Sequence, residues 1–456
     1  MATIVKQKRP MGMRAFTLIW CGQFASLLGT GMTRFVLTLW VWQETGQATA
    51  LALMAFFGFA PGIILTPFAG AIVDRSNRKL MMMMSDLGAG FATLFMLALS
   101  LSGHLVIWHI YAASAFAAAA ESFQFPAYSA AISTMVEKKH YARTSAMLAL
   151  AGNASMIFAP ILGAAFYAFI HLDGIFLIDI CTLFFAVSLL ALVYIPQPPP
   201  SAEGEASKGS LWSETLFGFR YIKQRPSLLG LQLVFFFGNF LAEIGFVLLA
   251  PMILARTSND EAALATVMSA FGIGGVVGGL VLSAWGGPKR RVNGVLSGWL
   301  LAGLLEMTLL GLGRVMPVWA GCAFLGAMFS VLINSSNQAI WQSKVPPDVQ
   351  GRVFAVRALI AQIVSPLSML LAGPLADYVF EPAMADNGAL AGAFGPLVGT
   401  GPGAGMALVL VLAGILTALV AVVGYLIPAI RHVESIIPDH QERMEQPFAP
   451  ETETTA

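Results

Sequence analysis

The sequence predicts an all-α membrane protein: twelve transmembrane helices in two pseudo-symmetric six-helix halves. Three observations carry this. The chain has 456 residues, 57% hydrophobic and only 11% charged, where soluble domains average about 25% charged. Apolar stretches long enough to cross ~30 Å of hydrocarbon as a helix recur throughout. A polar, proline-rich segment, PQPPPSAEGEASKGS from Pro196, interrupts them once and leaves six on each side. Continuous apolar runs also argue against a membrane β-barrel, whose strands alternate over about ten residues.

The spans are expected near 15–42, 49–73, 80–101, 105–135, 143–171, 174–195, 228–255, 263–285, 292–312, 317–343, 351–380 and 404–430. The first follows Lys6, Lys8, Arg9 and Arg14. It is too long for a signal-peptide core and contains Arg34, so it is read as an uncleaved span. The chain therefore divides into a cytoplasmic N-terminus (1–14), a first half (15–195), a linker (196–227), a second half (228–430) and a cytoplasmic tail (431–456). The linker continues as LWSETLFGFRYIKQRPS, whose apolar residues fall at helical spacing and suit a short helix on the membrane surface. The tail is acidic and contains proline, and is expected to be disordered.

Lys and Arg set the orientation. With the N-terminus in the cytoplasm, 22 of the 25 fall in cytoplasmic segments. Only Arg256 and Arg314 lie on the other side, and Arg34 within the membrane. Both termini and the linker are thus expected in the cytoplasm, in a multi-pass protein of the cell (inner) membrane.

The densest charged loop is GAIVDRSNRK, Gly70 to Lys79, between the second and third spans. Its second-half counterpart is GGPKRR, Gly286 to Arg291, between the eighth and ninth. A second pair, residues 137–143 after span 4 and 344–352 after span 10, supports a parallel six-plus-six repeat.

Several function classes find no support. The six histidines have no metal-ligand spacing, and no HExxH, P-loop or nucleophile elbow is present. Cys21, Cys181 and Cys322 are widely spaced within apolar runs and are read as free buried thiols. No metal, cofactor or enzymatic activity is expected. A net charge of +1 gives no reason to expect nucleic acid.

Gly70, Asp74, Arg75, Arg78 and Lys79 resemble the loop signature of the major facilitator superfamily, although Asn77 stands where a glycine is common. The second-half copy is degraded: Gly279 is followed four residues later by Ser283, not Asp, and only the basic KRR remains. The stretches TRFVLTLWVWQETG, LIDICTLF, PPDVQGRVFAVRALIAQIVSPL and GPLADYVFEPAM are similar to its enterobactin-exporter and macrolide-efflux branch. The resemblance implies transport by alternating access, with spans 1, 4, 7 and 10 lining the cavity, and a fold that works as a monomer.

Those same spans carry polar stripes at helical spacing. Span 1 has Gln23, Ser26, Thr30 and Arg34; span 4 has Glu121, Gln124 and Tyr128. Span 7 has Gln232, Asn239 and Glu243; span 10 has Asn334, Asn337, Gln338 and Trp341. Such faces either converge on a cavity or bond neighbouring helices. Charges in lipid are costlier than amides, so Arg34, Glu121 and Glu243 are assigned to coupling, with Arg34 pairing either Glu121 or Glu243. Opening that pair frees a carboxylate to take a proton. Asp179 is read as a buried structural contact and Asp377 as interfacial, while Glu306 has no assigned role.

Two motifs complete the reading. Gly152, Pro160 and Gly163 in span 5 resemble the antiporter motif, and helix packing explains them equally well. The charged loop serves either topology alone or a gate, in which Asp74 faces a helix N-terminus or a basic partner of the other half.

The expectation is a secondary active transporter, a proton-coupled exporter (antiporter) of an amphipathic small molecule such as a siderophore, a macrolide drug or another natural product. An importer or uniporter of a small solute, or a non-transporting receptor on the same fold, is the alternative.

Overall fold

A computed structural model describes residues 12–74, 76–196 and 218–438. The expected N-terminal segment before residue 12, most of the linker and the tail beyond 438 lie outside the described residues, as does Arg75. So do the surroundings of Gly70 and the side chain of Asp74.

Helices make up nearly everything described. In the first half they are α1 (Gly12–Thr45), α2 (Ala48–Phe57), α3 (Ala60–Asp74), α4 (Arg78–Leu101), α5 (Ile107–Glu121), α6 (Gln124–Met135) and α7 (Tyr141–Leu192). In the second half they are α8 (Pro226–Arg256), α9 (Glu261–Trp285), α10 (Arg291–Leu301), α11 (Leu309–Leu312), α12 (Met316–Lys344) and α13 (Pro347–Leu375). The short α14 (Glu381–Met384) and α15 (Ala391–Val398) lead to α16 (Ala404–Leu426), then α17 (Pro428–Arg431) and α18 (Val433–Ile436). π-helical turns at Ala302–Thr308 and Ala376–Phe380 join α10 to α11 and α13 to α14.

Local chemistry starts and stops these helices. The Asn77 side chain accepts the Leu80 N–H and caps α4. The Asp260 carboxylate accepts the N–H groups of Ala262 and Ala263 and caps α9, which ends on Gly286 at φ 81°. Large apolar side chains such as Ile64, Phe91, Phe169 and Leu426 stay exposed on the bundle. An outer surface of that kind is solvated by lipid, not water.

Among the described residues ten helices are long and apolar enough to cross a membrane. The order of contacts accounts for the two further crossings. α7, at 52 residues, would be about 78 Å long if straight. It is not straight: His171 adopts φ 54° and breaks it. Before the break Ser155 bonds Leu27 and Gly163 packs on Phe35, so contacts climb α1. After it Asp179 bonds Thr30 and Ala186 packs on Gly22, so they descend. The chain reverses at one residue where the sequence suggested a loop at 172–173.

Span 4 departs in the opposite sense. It is two helices, α5 and α6, and not one run over 105–135. Pro126 cannot donate to the carbonyl of Ser122 and its ring clashes there, so the helix restarts at Gln124. Contacts with α4 still run in one direction, from Phe95–His109 through Ser85–Ala120 to Arg78–Ala130. Together α5 and α6 make one crossing.

Three apolar cores hold the bundle. One unites both halves, with Trp42, Leu51 and Phe176 beside Leu248, Met252 and Trp319. Another, with Phe16, Met82, Tyr128 and Leu190, belongs to the first half alone. The third, with Leu228, Trp299, Trp341 and Val353, belongs to the second half alone. The two separate cores lie at the end carrying Arg78, Lys79, Arg291 and Lys344, the basic end. The shared core lies at the opposite end. Residues 218–223, the described end of the linker, are helical and bury Tyr221 and Ile222 in the second-half core.

Of the thiols, Cys322 is buried as expected, but Cys21 and Cys181 are exposed; all three are free. An apolar run on a lipid-facing helix does not imply burial in protein.

Candidate functional site: a central cavity and the seam between the halves

A cavity of about 590 Å³ lies between the halves, lined by Arg34, Glu121 and Asp179 from one side and by Glu243, Phe246 and Met268 from the other. A second cavity, about 600 Å³, enters the first half beside Trp20, Gln23, Asp86, Gln124 and Tyr128. Arg34 and Glu121 line both. The Arg34 side chain, near the middle of α1, is 63% exposed beside these cavities.

The two charged residues are paired. Arg34 Nη2 donates to Glu121 Oε2 at 2.5 Å. Glu121 ends α5, where a helix dipole disfavours negative charge, and the guanidinium offsets that. Of the two partners the sequence allowed for Arg34, the structure brings Glu121. Glu243 lines the cavity from α8.

Deeper in the first half, Gln23 Nε2 donates to Asp86 Oδ2 at 2.8 Å and Gln124 Nε2 to Asp86 Oδ1 at 2.9 Å. Gln124 also donates to Gln23 Oε1 at 3.0 Å, closing a ring of three side chains. The break between α5 and α6 positions Gln124 for this. Tyr128 stacks on Phe16, and its buried hydroxyl has no hydrogen-bond partner among the described residues. Asp179 accepts from the hydroxyls of Thr30 and Thr93, each at 3.0 Å. It is a buried helix-to-helix contact that also forms part of the cavity wall.

The other second-half polar residues do not line either cavity. Asn239 donates to Phe235 O at 2.7 Å and Asn334 to Ser330 O at 2.9 Å, each one turn back on its own helix. Trp341 Nε1 donates to Asn337 Oδ1 at 3.0 Å, and Arg357 donates to Gln338 Oε1 at 2.8 Å. Gln232 is buried, and Trp341 belongs to the second-half core.

In α7, Gly152 lines the first-half cavity and Pro160 the central one, while Gly163 packs on Phe35 of α1. In the charged loop, Arg78 donates to Ala130 O at 2.6 Å, and Lys79 Nζ to the carbonyls of Ala191 and Val193, both at 2.7 Å. These bonds tie α4 to α6 and α7.

Sequence reasoning missed the seam at the opposite end. The Asp377 carboxylate accepts the N–H of Ala48 at 3.0 Å and of Thr49 at 2.7 Å, capping α2 from the other half. Trp42 Nε1 donates to Asn259 Oδ1 at 2.8 Å and Gln43 Nε2 to Glu261 Oε1 at 3.2 Å. Gly373 lies so close to Thr49 that a Cβ there would meet its backbone. Asp86 was missed as well. Its one signal was being the sole charge in span 3, and that does not reveal which face it occupies.

A two-half helical bundle, sharing a core at one end and enclosing a cavity with an ion pair between the halves, defines the class as a polytopic transporter. Residues 19–369 match the Major Facilitator Superfamily, and the chain belongs to that family. It is 25% identical over 370 residues to macrolide efflux protein A of Streptococcus pyogenes, covering 80% of this chain and 90% of the relative. It is 25% identical over 360 residues to the multidrug efflux pump Tap of Mycolicibacterium fortuitum, covering 76% and 86%.

The fold is similar to that of a bacterial homolog of the human lysosomal transporter Spinster, inward-facing and unoccupied. That match has a TM-score of 0.64 at 14% identity over 90% of this chain and 96% of that one. It is also similar to an inward-facing bacterial homologue of the iron transporter ferroportin, with a TM-score of 0.63, 14% identity and coverage of 90% and 98%.

Proposed function

We propose that this chain is a proton-coupled exporter of amphipathic small molecules, macrolides among them, working by alternating access from the inner membrane with both termini in the cytoplasm. In that setting the conformation described here opens to the cytoplasm, because the halves share a core only at the opposite end.

The observation that carries the reading is the Arg34–Glu121 pair at the border of two otherwise largely apolar cavities. Isolated charges in an apolar wall are costly, and here the guanidinium and the carboxylate offset each other. With the cavity open to the outside, a proton taken by Glu121 parts the pair and releases the substrate. With the cavity open to the cytoplasm that proton leaves and substrate binds, so drug and proton travel in opposite directions. Glu243, across the cavity and without an ion-pair partner among the described residues, is a second acceptor. The Phe and Met side chains, including Phe246, Phe271, Met268 and Met369, offer an adaptable apolar surface to the body of the substrate. The names of the efflux relatives support both direction and substrate class.

The test is uptake of radiolabelled erythromycin into everted vesicles with an imposed pH gradient. Accumulation that collapses when the gradient is dissipated supports the reading. Accumulation indifferent to the gradient, or none at all, contradicts it.

A further inference from the structure

Glu306 takes part in neither the Arg34–Glu121 pair nor the seam. It sits on α10's π-helical turn, Ala302–Thr308, well inside a membrane span. Its carboxyl lies over Gly326 of α12, close enough that any side chain at 326 would collide with it. It borders a small cavity of about 30 Å³ walled by Ala242, Gly245, Phe246, Phe271, Met307 and Ala323. That volume is room for one water, with the Glu306 carboxyl as its polar partner. Phe246 and Phe271 also line the central cavity, and their rings stand 5.9 Å apart. The pair is therefore the partition between the two spaces.

Charges around Glu306 are few. From α12 the titratable neighbour is Cys322, one turn before Gly326. From α8 it is Glu243, next to Ala242 in sequence but lining the central cavity. The membrane-buried stretches of α9 and α16 contribute no charged side chain. No ion pair to Glu306 is found among the described residues. A carboxyl in apolar surroundings without a cation is cheaper to keep as the neutral acid.

π-turns are rare and gather at functional positions. The two described here each carry a carboxylate: Asp377 in the seam latch and Glu306 behind the cavity.

The geometry points to Glu306 as a proton-binding site, reached from the central cavity when the Phe246–Phe271 partition moves. Resting on the exporter reading, it makes the second half a proton carrier in its own right. The proton passes from a cavity water to the Glu306 carboxylate while the cavity faces one side. It returns to water when the rocking of α8 against α9 exposes the pocket to the other.

The experiment uses the full chain in proteoliposomes. Dicyclohexylcarbodiimide, which reacts with protonated carboxyls in apolar sites, is applied across a pH series and adducts are located by peptide mass spectrometry. An adduct on Glu306 that declines as pH rises is expected. Absence of the adduct at every pH overturns the proposal. Glu306→Gln is expected to lose pH-gradient-driven erythromycin transport while retaining erythromycin binding; full gradient-driven transport by that variant also overturns it. Should Glu306→Gln fail to fold, Glu306→Asp, one methylene shorter, is expected to transport with a displaced pH profile, and an unchanged profile counts against the site. If the wild type moves no erythromycin under a gradient, the exporter reading fails, and the labelling alone still decides whether Glu306 holds a proton.

Discussion

Asp377 and Thr49 meet across the two halves: the carboxylate at the end of one half's helix accepts the first N–H groups of α2 in the other, at 2.7 Å from Thr49 and 3.0 Å from Ala48. They bridge the halves at the end where the two share a core, so under the proposed alternating access they hold only while that end is shut. A carboxylate at a helix N-terminus gains from both the unpaired donors and the dipole. The contact is therefore a latch on one conformer and not general glue.

Asp377→Ala is expected to weaken the closed form by roughly 2 kcal/mol, two charge-assisted bonds partly replaced by water. That moves the balance about thirtyfold toward opening at this end. Spin-label distances between the start of α2 and the end of α13 should lengthen. Gly373→Val should do the same by steric means, since its Cβ meets the Thr49 backbone. Distances unchanged in both variants would show that the latch does not hold the seam.

The Arg34–Glu121 pair predicts non-additivity. Arg34→Gln and Glu121→Gln should each abolish gradient-driven transport, and the double variant should be no worse than either. The side chains are 63% and 35% exposed, so screening keeps the effect on stability small, within about 1 kcal/mol. Melting temperatures of the purified variants check that half of the expectation.

Asp86 should behave as a structural acceptor. Its two oxygens take amide hydrogens from Gln23 and Gln124. Asp86→Leu leaves the buried Gln23 amide unpaired and Gln124 with Gln23 Oε1 alone, and should cost about 1–3 kcal/mol, while Asp86→Asn keeps one acceptor and should cost about half that. Thermal unfolding in detergent ranks the two, and equal losses would show that the amides find other partners.

Lys79 binds the carbonyls of Ala191 and Val193, anchoring α4 to the end of α7. Lys79→Met should destabilise by about 1–3 kcal/mol. An unchanged melting temperature would return Lys79 to a purely topological role.

Much of this architecture was legible in advance, because the membrane imposes it. Length, apolarity and the placement of Lys and Arg are one-dimensional properties, and they gave the six-plus-six pattern and the basic end. The Arg34 and Glu121 stripes were legible too, since unpaired charges in lipid are rare enough to notice. The misreadings came from properties that live in three dimensions. His171 reverses the chain without any loop composition to announce it. The polar residues of α12 sit at cavity-like spacing, yet bond within the second half. Asp377 became a latch through a partner more than 300 positions away, and no periodicity records such a pairing.

The most direct test of the central claim is proton movement caused by substrate alone. Proteoliposomes holding a pH dye and the wild-type chain, with no imposed gradient, receive erythromycin on one side. Protons are expected to move opposite to the drug, and Glu121→Gln is expected to abolish the signal. Drug entry without proton movement, or protons travelling with the drug, would contradict it.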